Sequence, residues 1–471
     1  MTETSTAKAR GYDAIEVGEH AELTRTVTAN DLVFYSHASG DLNPLHLPEL
    51  DGDGDGVAEA YAPTAYMAGL LSALVGNTLP GPGSRATDFK GEAGAPLKMG
   101  ETARARIEVI AKSDGLLTLK GRVEGPGGVA LTAEITVAPP EHPQSFEAYE
   151  LPDLLVRRHP HFDRLLKACD GIDPARTAVV QPHSEESLDG ALKAAARGLI
   201  TPILIGKRTE IEAAAKALDA DLSGFEIVEA EDAEAAAARA CRMVADGEAD
   251  SVMKGHLHTD TLLRAVLNRS HGLRGDRRIS HAFILDVPGR DGLLFVTDAA
   301  VNIAPDLSAK ADIVQNAIDL ACALGLKEPK AAILSAVETV NPALPSTLDA
   351  AALAKMADRG QIKRGLVDGP LAMDNAVDRE AAQVKKLTGP VAGRADILVA
   401  PDLEAGNMLA KELTYLARAE IAGIVLGARA PVILTSRADG VFSRLVSCAV
   451  AALHACWLKT GEPAPGLSRD A

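Results

Sequence analysis

Residues 31–47 read DLVFYSHASGDLNPLHL, a stretch in which an apolar, helix-like run leads into a turn. Asp41 comes five residues before His46, with Asn43 and Pro44 between them. Pro44 stiffens such a turn and Asn43 can hydrogen-bond to its own backbone, so both side chains can reach one pocket. A carboxylate and a neutral imidazole that share one water molecule suit the addition of water to a double bond. An ordinary surface turn with an exposed histidine has the same spacing, so the spacing alone leaves both interpretations open.

One strong helical pattern follows this turn, in the apolar run at residues 62–79. Three later runs alternate or are rich in β-branched residues, with glycines at the turns between them. They are residues 104–113, 115–125 and 129–138. One long helix beside an antiparallel sheet predicts an α+β domain. We place this domain at residues 1–140 and a proline-rich linker at 141–152.

The stretch 31–47 closely resembles the signature of the MaoC-like, (R)-specific enoyl-CoA hydratases, and the resemblance covers roughly residues 10–138. It implies the hot-dog fold, in which an antiparallel sheet wraps a long helix. It also implies Asp41 and His46 as the catalytic pair, with helix amides polarising a thioester carbonyl. The family usually shows His-Gly where this sequence has Pro63-Thr64, and proline has no N–H to donate. An active hydratase and a hot-dog domain kept for dimerisation or acyl-CoA binding therefore both remain open.

The rhythm changes in residues 153–471, where strand-like and helix-like segments alternate. That alternation predicts a mainly parallel sheet covered by helices. Residues 281–300 break the pattern, because two strand-like runs meet at the turn sequence 288–292, PGRDG, and predict an antiparallel hairpin. The strand-like runs are too many for one compact sheet of ordinary size, so we expect two α/β lobes with a cleft between them.

Several strand ends in this half suit an anionic ligand, because ligands of open α/β sheets bind beyond the carboxyl ends of strands. Lys254 and Gly255 end one run, and Ser436 and Arg437 follow another. Glycines allow close backbone approach, and free amides at helix N-termini bind anions. A hydroxyl group beside a guanidinium group can hold two phosphate oxygens. Each feature alone is ordinary, but their repetition in one chain favours an anion site.

Residues 151–465 resemble phosphate acyltransferases of the acetyl and butyryl type more specifically. The runs that carry the resemblance are 291-DGLLFVTDAAVNIAPDL, 338-ETVNPALPSTLDAAAL, 367-VDGPLAMDNAV, 390-PVAGRADILVAPDLEAGNML and 426-LGARAPVILTSRADG. The resemblance implies two α/β lobes with isocitrate dehydrogenase-like architecture and an active site between them. It also implies a reversible reaction in which acyl-CoA and phosphate give acyl phosphate and coenzyme A, for a short acyl chain such as acetyl or butyryl.

The same resemblance assigns roles to individual residues. Ser436 and Arg437 match the Ser-Arg pair that binds phosphate and steadies the tetrahedral intermediate, and Arg264 looks like a second arginine on the phosphate side. Gly406 and Asn407 match the Ala-Gly-Asn loop near the ligand. The strand-end pattern, rather than the resemblance, adds Lys254 and Gly255 as expected substrate-binding residues.

The proton acceptor for the thiol is less clear from the sequence. The acetyltransferase branch has an aspartate seven residues after the serine, where this chain has Ser443. Asp439 is the nearest acid but occupies another position. The base therefore stays open between Asp439 and arginines that lower the pKa of the thiol.

Composition excludes several classes of protein. The net charge of −17 disfavours a nucleic-acid surface. Five cysteines without a C-x-x-C pair suggest reduced thiols in the cytoplasm. The first ten residues, MTETSTAKAR, contain no apolar segment of a signal peptide, and no run approaches the ~18 apolar residues of a membrane span.

Neither a metal site nor a tightly bound cofactor is expected. The acidic run 51-DGDGDG begins like a calcium loop, but Ala62 stands where the bidentate glutamate belongs. His256 and His258 have no third strong ligand at a suitable spacing. A metal- and NAD-dependent hydroxyacid dehydrogenase of similar two-lobed shape is disfavoured, because no G-x-G-x-x-G follows a strand.

Both halves thus point to acyl-CoA thioesters. The leading hypothesis is a bifunctional phosphate acyltransferase with an (R)-specific 2-enoyl-CoA hydratase domain, acting on acyl-CoA and phosphate. The alternative is an acyltransferase whose hot-dog domain is a non-catalytic module. Family expectation adds a homo-oligomer, a dimer or higher, with no nucleic-acid or membrane partner.

Overall fold

The computed structural model describes residues 6–48, 50–143, 145–147, 159–271, 273–434 and 440–467. The chain divides into two units, Met1–Val156 and Arg157–Ala471.

The first unit has seven strands and two α-helices among its described residues. In chain order they are β1 (Thr6–Lys8), β2 (His20–Thr26), α1 (Ala29–Ser39), α2 (Thr64–Asn77), β3 (Arg85–Ala93), β4 (Thr102–Ser113), β5 (Leu116–Gly125), β6 (Gly128–Ala138) and β7 (Ser145–Glu147). Five strands form an antiparallel sheet in the order β2-β4-β5-β6-β3, and β1 pairs with β7 separately. The α+β arrangement predicted for this half, a long helix with an antiparallel sheet, is confirmed.

Alternation along the strands explains how the sheet holds α2. In β4 the side chains of Ala103, Ala105, Ile107 and Val109 are fully buried while their neighbours are more exposed, as expected for a sheet with one covered face. The helix lies so close to β5 that a side chain at Gly121 would collide with the methyl groups of Leu71. Glycine is therefore required where α2 crosses the sheet.

The predicted linker, residues 141–152, falls only partly within the described residues. Residues 145–147 form β7, which pairs antiparallel with β1 of the same unit. Residues 144 and 148–152 lie outside the described part of the chain.

The second unit alternates strands with helices as the sequence predicts. Its elements are α3 (Pro160–Ala168), β8 (Ala175–Val180), α4 (Glu185–Ala196), β9 (Ile200–Gly206), α5 (Arg208–Ala217), β10 (Glu226–Glu229), α6 (Ala233–Ala245), β11 (Ser251–Lys254), α7 (Thr259–Leu267), β12 (Ser280–Asp286), β13 (Leu294–Thr297), α8 (Leu307–Ala323), β14 (Lys330–Leu334), α9 (Pro345–Asp358), β15 (Leu366–Leu371), α10 (Met373–Val377), α11 (Arg379–Val384), β16 (Ile397–Val399), α12 (Leu403–Tyr415), β17 (Glu420–Leu426), β18 (Val432–Ile433) and α13 (Val441–Thr460).

The expectation that these strands are too many for one sheet is wrong. Eleven strands form one sheet in the order β10-β9-β8-β11-β18-β17-β12-β13-β16-β14-β15. A parallel set (β10, β9, β8, β11, β18) and a second parallel set (β13, β16, β14, β15) are joined by β17 and β12, which pair antiparallel with each other and with their outer neighbours. The predicted hairpin is confirmed as the antiparallel pair β12–β13. The two sets point in opposite directions, so their carboxyl ends lie at opposite edges of the sheet.

Helix α13 is the longest element and packs in the core of this unit. It is 20 residues long with a mean hydropathy of 1.6 over its most apolar window, so by length and composition it could span a membrane, although the sequence analysis found no such run. In the structure 72% of that window is buried. Val446, Ala449, Val450 and Leu453 contribute to the same buried cluster as β12 and β17, which explains the apolar composition of the helix as that of a core helix.

Candidate functional site

Asp41 and His46 lie on the turn that follows α1. The helix ends because Gly40 adopts a left-handed conformation, with φ of 74°, that glycine tolerates at a helix C-terminus. The side chain of Asn43 accepts a hydrogen bond of 3.2 Å from the backbone two residues on, and a short 3-10 helix spans Pro44–His46. Asp41 in turn accepts a hydrogen bond of 3.1 Å from the Asn43 N–H. The turn thus holds both side chains, as the sequence predicts.

The imidazole of His46 is held in one tautomer. Its Nδ1 lies 2.9 Å from the carbonyl oxygen of Tyr61, which can only accept, so Nδ1 carries the proton. In the neutral ring Nε2 is then free of a proton, and it lies 4.0 Å from Oδ2 of Asp41. That separation is too long for a direct hydrogen bond, but a water molecule can bond to both atoms. The pair is partly exposed, at 20% for His46 and 30% for Asp41, so solvent can reach it.

The start of α2 is the other part of this site that the sequence singles out. Pro63 is the N-cap residue, and no side chain caps the helix. The N–H of Met67 bonds to the Pro63 carbonyl at 3.1 Å, so the amides of the preceding turn have no intrahelical acceptor. Thr64 begins this turn only three residues after Tyr61, which holds His46. Since Pro63 cannot donate, a thioester carbonyl bound here would depend on the amides from Thr64 onward.

Lys254 and Gly255 lie at the carboxyl end of β11, as the sequence predicts. Lys254 is buried, and its ammonium group lies 3.4 Å from the carbonyl oxygen of Gly255. A Cβ at Gly255 would come within 2.4 Å of the Val180 carbonyl, so only glycine allows β11 and β8 to end side by side. This edge also holds the rings of His183 and His256, with centroids 5.1 Å apart. Burial lowers the pKa of His183, and although Glu210 opposes the shift, His256 and Lys207 add to it.

Gly406 and Asn407 lie in the first turns of α12, beyond the carboxyl end of β16. Asn407 Nδ2 donates a hydrogen bond of 3.0 Å to the carbonyl of Ala299, in the loop after β13. The buried carboxylate of Asp298 folds this loop by accepting from the N–H groups of Ala300 and Val301 at 2.9 and 3.0 Å. The two residues predicted as ligand contacts thus also join α12 to the loop.

Gly406 is expected to be sensitive to substitution. A Cβ at this position would lie 2.4 Å from the Asp298 carbonyl and 3.1 Å from the Ala400 Cβ, so Gly406→Ala must displace α12 from the loop. Overpacking of this kind costs about 1–3 kcal/mol of unfolding free energy, which denaturant titration would measure. Gly224→Ala is the matched control, because nothing lies within 4 Å of a Cβ there. Equal stability of the two variants would contradict the close approach.

Lys254 and Gly255 do not lie near Gly406 and Asn407 in the structure. Lys254 and Gly255 end β11, and Gly406 and Asn407 follow β16, a strand of the opposite direction with four strands between them. At ~4.8 Å per strand, β11 and β16 are ~24 Å apart. The sequence could not reveal this, because strand direction within the sheet depends on pairing that is remote along the chain.

Ser436, Arg437 and Asp439 lie outside the described residues. The residues on either side are described. Leu434 donates a hydrogen bond of 3.4 Å to the carbonyl of Gly423 on β17, and Gly440 is the N-cap residue of α13.

Arg264 lies on the last turn of α7 and is exposed. This helix follows β11 after a short loop, so Arg264 and Lys254 come from the same strand–helix unit. Its exposure leaves the guanidinium group accessible to an anion.

A cluster of polar side chains that the sequence analysis did not single out surrounds Glu420, the first residue of β17. The hydroxyl of Ser443, in the first turn of α13, donates to Oε1 of Glu420 at 2.5 Å. Nε2 of His159, the N-cap residue of α3, lies 3.8 Å from Oε2. The three residues come from three separate elements, so no local spacing could have signalled the cluster. The only signal was the serine at position 443.

Among the described residues one acidic group has the geometry to hold a metal ion. The carboxylates of Asp51, Asp53 and Asp55 have ligand atoms within 4.8 Å of one another, and all three are exposed. Both oxygens of Asp51 already accept backbone hydrogen bonds, from Gly54 at 2.7 Å and Gly56 at 2.9 Å. The arrangement is that of an acidic turn closed on its own backbone.

Comparison with known proteins places the second unit among relatives. The family model for phosphate acetyl/butaryl transferase matches residues 233–452. A phosphate acetyltransferase of Rhizobium meliloti is 56% identical over 303 residues, which are 64% of this chain and 96% of that protein.

Solved structures match each half separately. The crystal structure of a branched-chain phosphotransacylase from Enterococcus faecalis V583 is 33% identical, with a TM-score of 0.54, and covers 60% of this chain and 99% of its own. An (R)-hydratase from Pseudomonas aeruginosa in the unliganded form is 28% identical, with a TM-score of 0.31, and covers 32% of this chain and all of its own.

Proposed function

This chain belongs to the phosphate acetyl/butyryl transferase family, and we propose on that premise that its second unit transfers an acyl group between coenzyme A and inorganic phosphate. The observation that carries the proposal is the 56% identity to a phosphate acetyltransferase across 96% of that protein. The substrates are a short-chain acyl-CoA and phosphate, without a tightly bound cofactor.

The reaction sets clear demands on the site. In one direction the thiolate of coenzyme A attacks the carbonyl carbon of the acyl phosphate, a carbon–sulfur bond forms, and the carbon–oxygen bond to phosphate breaks. The site must bind a phosphate dianion, stabilise the tetrahedral oxyanion and accept the thiol proton. We assign phosphate binding and oxyanion stabilisation to Ser436 and Arg437, with Arg264 as a second arginine.

Further substrate contacts are proposed at the carboxyl end of β11 and at the start of α13. Lys254 supplies a buried positive charge there, and Gly255 gives close access to the backbone. The start of α13 adds free amides, because its N-cap Gly440 has no side chain to occupy them. Asp439 immediately precedes this N-cap and is a weaker candidate for contact with the substrate.

Gly406 and Asn407 are proposed as contacts for a distant part of the substrate. They lie at the end of the other parallel set, and coenzyme A is long enough to contact residues well beyond the reacting carbonyl. We also propose that this unit has the two-lobed, isocitrate dehydrogenase-like architecture, with the antiparallel strands β17 and β12 as the junction between lobes.

For the first unit we propose hydration of a short 2-enoyl-CoA at Asp41 and His46. The observation that favours it is the tautomer of His46, whose unprotonated Nε2 lies 4.0 Å from the Asp41 carboxylate. A water molecule bonded to both would add its oxygen to the β-carbon while the pair takes one of its protons. The double-bond electrons move to the α-carbon, which receives that proton from the pair, so the pair ends unchanged. The alternative, a non-catalytic module for dimerisation or acyl-CoA binding, is favoured by Pro63, which cannot donate to the thioester oxygen.

We further propose a homo-oligomer, a dimer or higher, in the cytoplasm. All five cysteines are free, and burial raises the pKa of Cys169, Cys241 and Cys448 to about 12, so these three thiols stay protonated and unreactive. Unpaired buried thiols are typical of a reducing compartment.

Acyl transfer is tested by incubating the whole protein with a panel of saturated acyl-CoAs and following the release of free thiol with and without phosphate. We expect release that requires phosphate, with the fastest acyl chain identifying acetyl or butyryl as the preferred substrate. Release that is equal without phosphate would indicate a thioesterase in the first unit instead. No release from any acyl-CoA would refute the proposal.

A further inference from the structure

The cluster around Glu420 has the composition of a proton-transfer site. A carboxylate accepts a hydrogen bond of 2.5 Å from the Ser443 hydroxyl, and an imidazole nitrogen of His159 lies 3.8 Å from its other oxygen. The carboxylate and the imidazole are largely but not fully buried, at 16% and 15% exposure, while Ser443 is buried. Partial exposure allows a carboxylate to meet a substrate while its neighbours fix its orientation.

Three elements hold this cluster in place independently of one another. Glu420 pairs across strands with Asp286, the last residue of β12. The Asp286 carboxylate accepts hydrogen bonds of 3.0 Å from the N–H groups of His161 and Phe162, which fix the start of α3 and so place His159 beside Glu420. The ring of Phe442 packs against His159 with centroids 5.9 Å apart. A cluster anchored from three sides is preorganised, as sites of chemistry require.

The cluster also lies at both ends of the connection between β18 and α13. The N–H of Leu434 donates to the carbonyl of Gly423 on β17, and Glu420 lies three residues before Gly423 on that strand. Gly440, the N-cap residue of α13, comes three residues before Ser443, which is about one helical turn. Ser436 and Arg437 are joined in sequence to these two ends.

We propose that Glu420 is the residue that accepts the thiol proton of coenzyme A during acyl transfer. This inference rests on the acyltransferase activity proposed above. The thiol S–H bond breaks and its proton passes to the Glu420 carboxylate. The sulfur electron pair forms the carbon–sulfur bond, and phosphate leaves with the electrons of the carbon–oxygen bond. In reverse, the departing thiolate takes the proton back from Glu420.

The groups around Glu420 are better suited to orient its carboxylate than to act as the base. The Ser443 hydroxyl donates its hydrogen bond to Glu420. A serine hydroxyl is too weak an acid to lose its proton near neutral pH, so Ser443 does not form the alkoxide that could act as a base. Nδ1 of His159 is buried and makes no hydrogen bond among the described residues, and its Nε2 lies 3.8 Å from the Glu420 carboxylate. Ser443 and His159 are therefore positioning residues that orient the carboxylate. Oδ2 of Asp286, the cross-strand partner of Glu420, already accepts two backbone N–H groups.

The test compares Glu420→Gln with the wild-type protein in the formation of thioester from acyl phosphate and coenzyme A. Glutamine keeps the size and an oxygen acceptor for Ser443 but cannot take the proton. We expect kcat to fall by about 10²–10³-fold and the acid limb of the pH profile to disappear, because general base catalysis is typically worth ~10²–10⁴-fold. KM for acyl phosphate is expected to change little. Glu462→Gln, an exposed position just beyond the far end of α13, is the matched control.

Chemical rescue separates loss of the base from loss of structure. Glu420→Ala is expected to regain activity when formate is added, since a small carboxylate can occupy the space and accept the proton. A Glu420→Gln variant with activity within about threefold of wild type would overturn the inference, because that loss is under 1 kcal/mol of transition-state stabilisation. Loss of activity without rescue and with an unchanged acid limb would also overturn it and leave a purely structural role. Wild-type protein without phosphate-dependent transfer would instead refute the proposed function itself.

Discussion

Replacing Arg437 with glutamine is expected to lower kcat/KM for acyl transfer by about 10²–10³-fold, the usual loss when one preorganised donor to a developing oxyanion is removed. In the proposed site the guanidinium group binds two oxygens of the phosphate and faces the charge that develops in the tetrahedral intermediate. Arg437→Lys is expected to restore only a small part of the activity, because an ammonium group lacks the planar, two-point geometry. The measurement is the steady-state rate of phosphate-dependent acyl-CoA cleavage.

Arg429→Gln is the matched control for this experiment. Arg429 is exposed and precedes β18, at the opposite end of the strand from the proposed phosphate site. The Arg429→Gln variant should retain wild-type kinetics and thermal stability. Retention of half the activity by Arg437→Gln would remove Arg437, and with it the Ser436–Arg437 assignment, from the proposed mechanism.

Local patterns were sufficient for much of the fold. The apolar run at residues 62–79 predicts a helix, and the structure has α2 at Thr64–Asn77. The helix starts there because the ring of Pro63, its N-cap residue, fixes the backbone at that point. The turn sequence at residues 288–292 predicts the β12–β13 hairpin, because a tight turn determines which strand pairs with which.

Elements without a periodic apolar pattern were not predictable. Strand β3, RATDFKGEA, is exposed at every position, so no alternation marks it. The single eleven-stranded sheet was missed for a different reason. Strand β17 pairs antiparallel with β12, which lies 130 or more residues earlier in the chain. It also pairs antiparallel with β18, the next strand in the chain. Nothing in the local composition of these strands distinguishes that pairing from a parallel one.

The candidate sites also differ in whether their residues are close together in the sequence. Asp41 and His46 lie on one turn, so the sequence showed that both side chains can reach one pocket, although the spacing alone did not exclude an ordinary surface turn. Glu420, Ser443 and His159 meet only through the register of β17 and the packing of two helices. A cluster assembled from remote segments has no local spacing that could reveal it, and Ser443 was its one member that the sequence singled out.

Replacing His46 with asparagine is expected to lower hydration of crotonyl-CoA by about 10²–10⁴-fold, the range over which a positioned acid–base group contributes to catalysis. Asparagine can keep a hydrogen bond to the Tyr61 carbonyl but has no basic nitrogen to direct at the water held by Asp41. Phosphate-dependent acyl transfer should stay within about twofold of wild type, since the mutation lies in the other unit. Both activities are measured on the same preparation.

His37→Asn is the control, because His37 is exposed on α1 and lies before the catalytic turn. The result separates the two hypotheses for the first unit. Loss of hydration in His46→Asn alone, with intact acyl transfer, would establish two enzymes on one chain. A wild-type protein that transfers acyl groups but hydrates no 2-enoyl-CoA would favour the non-catalytic module, and the absent N–H of Pro63 would then be the physical reason, since an unpolarised thioester does not accept water at the β-carbon.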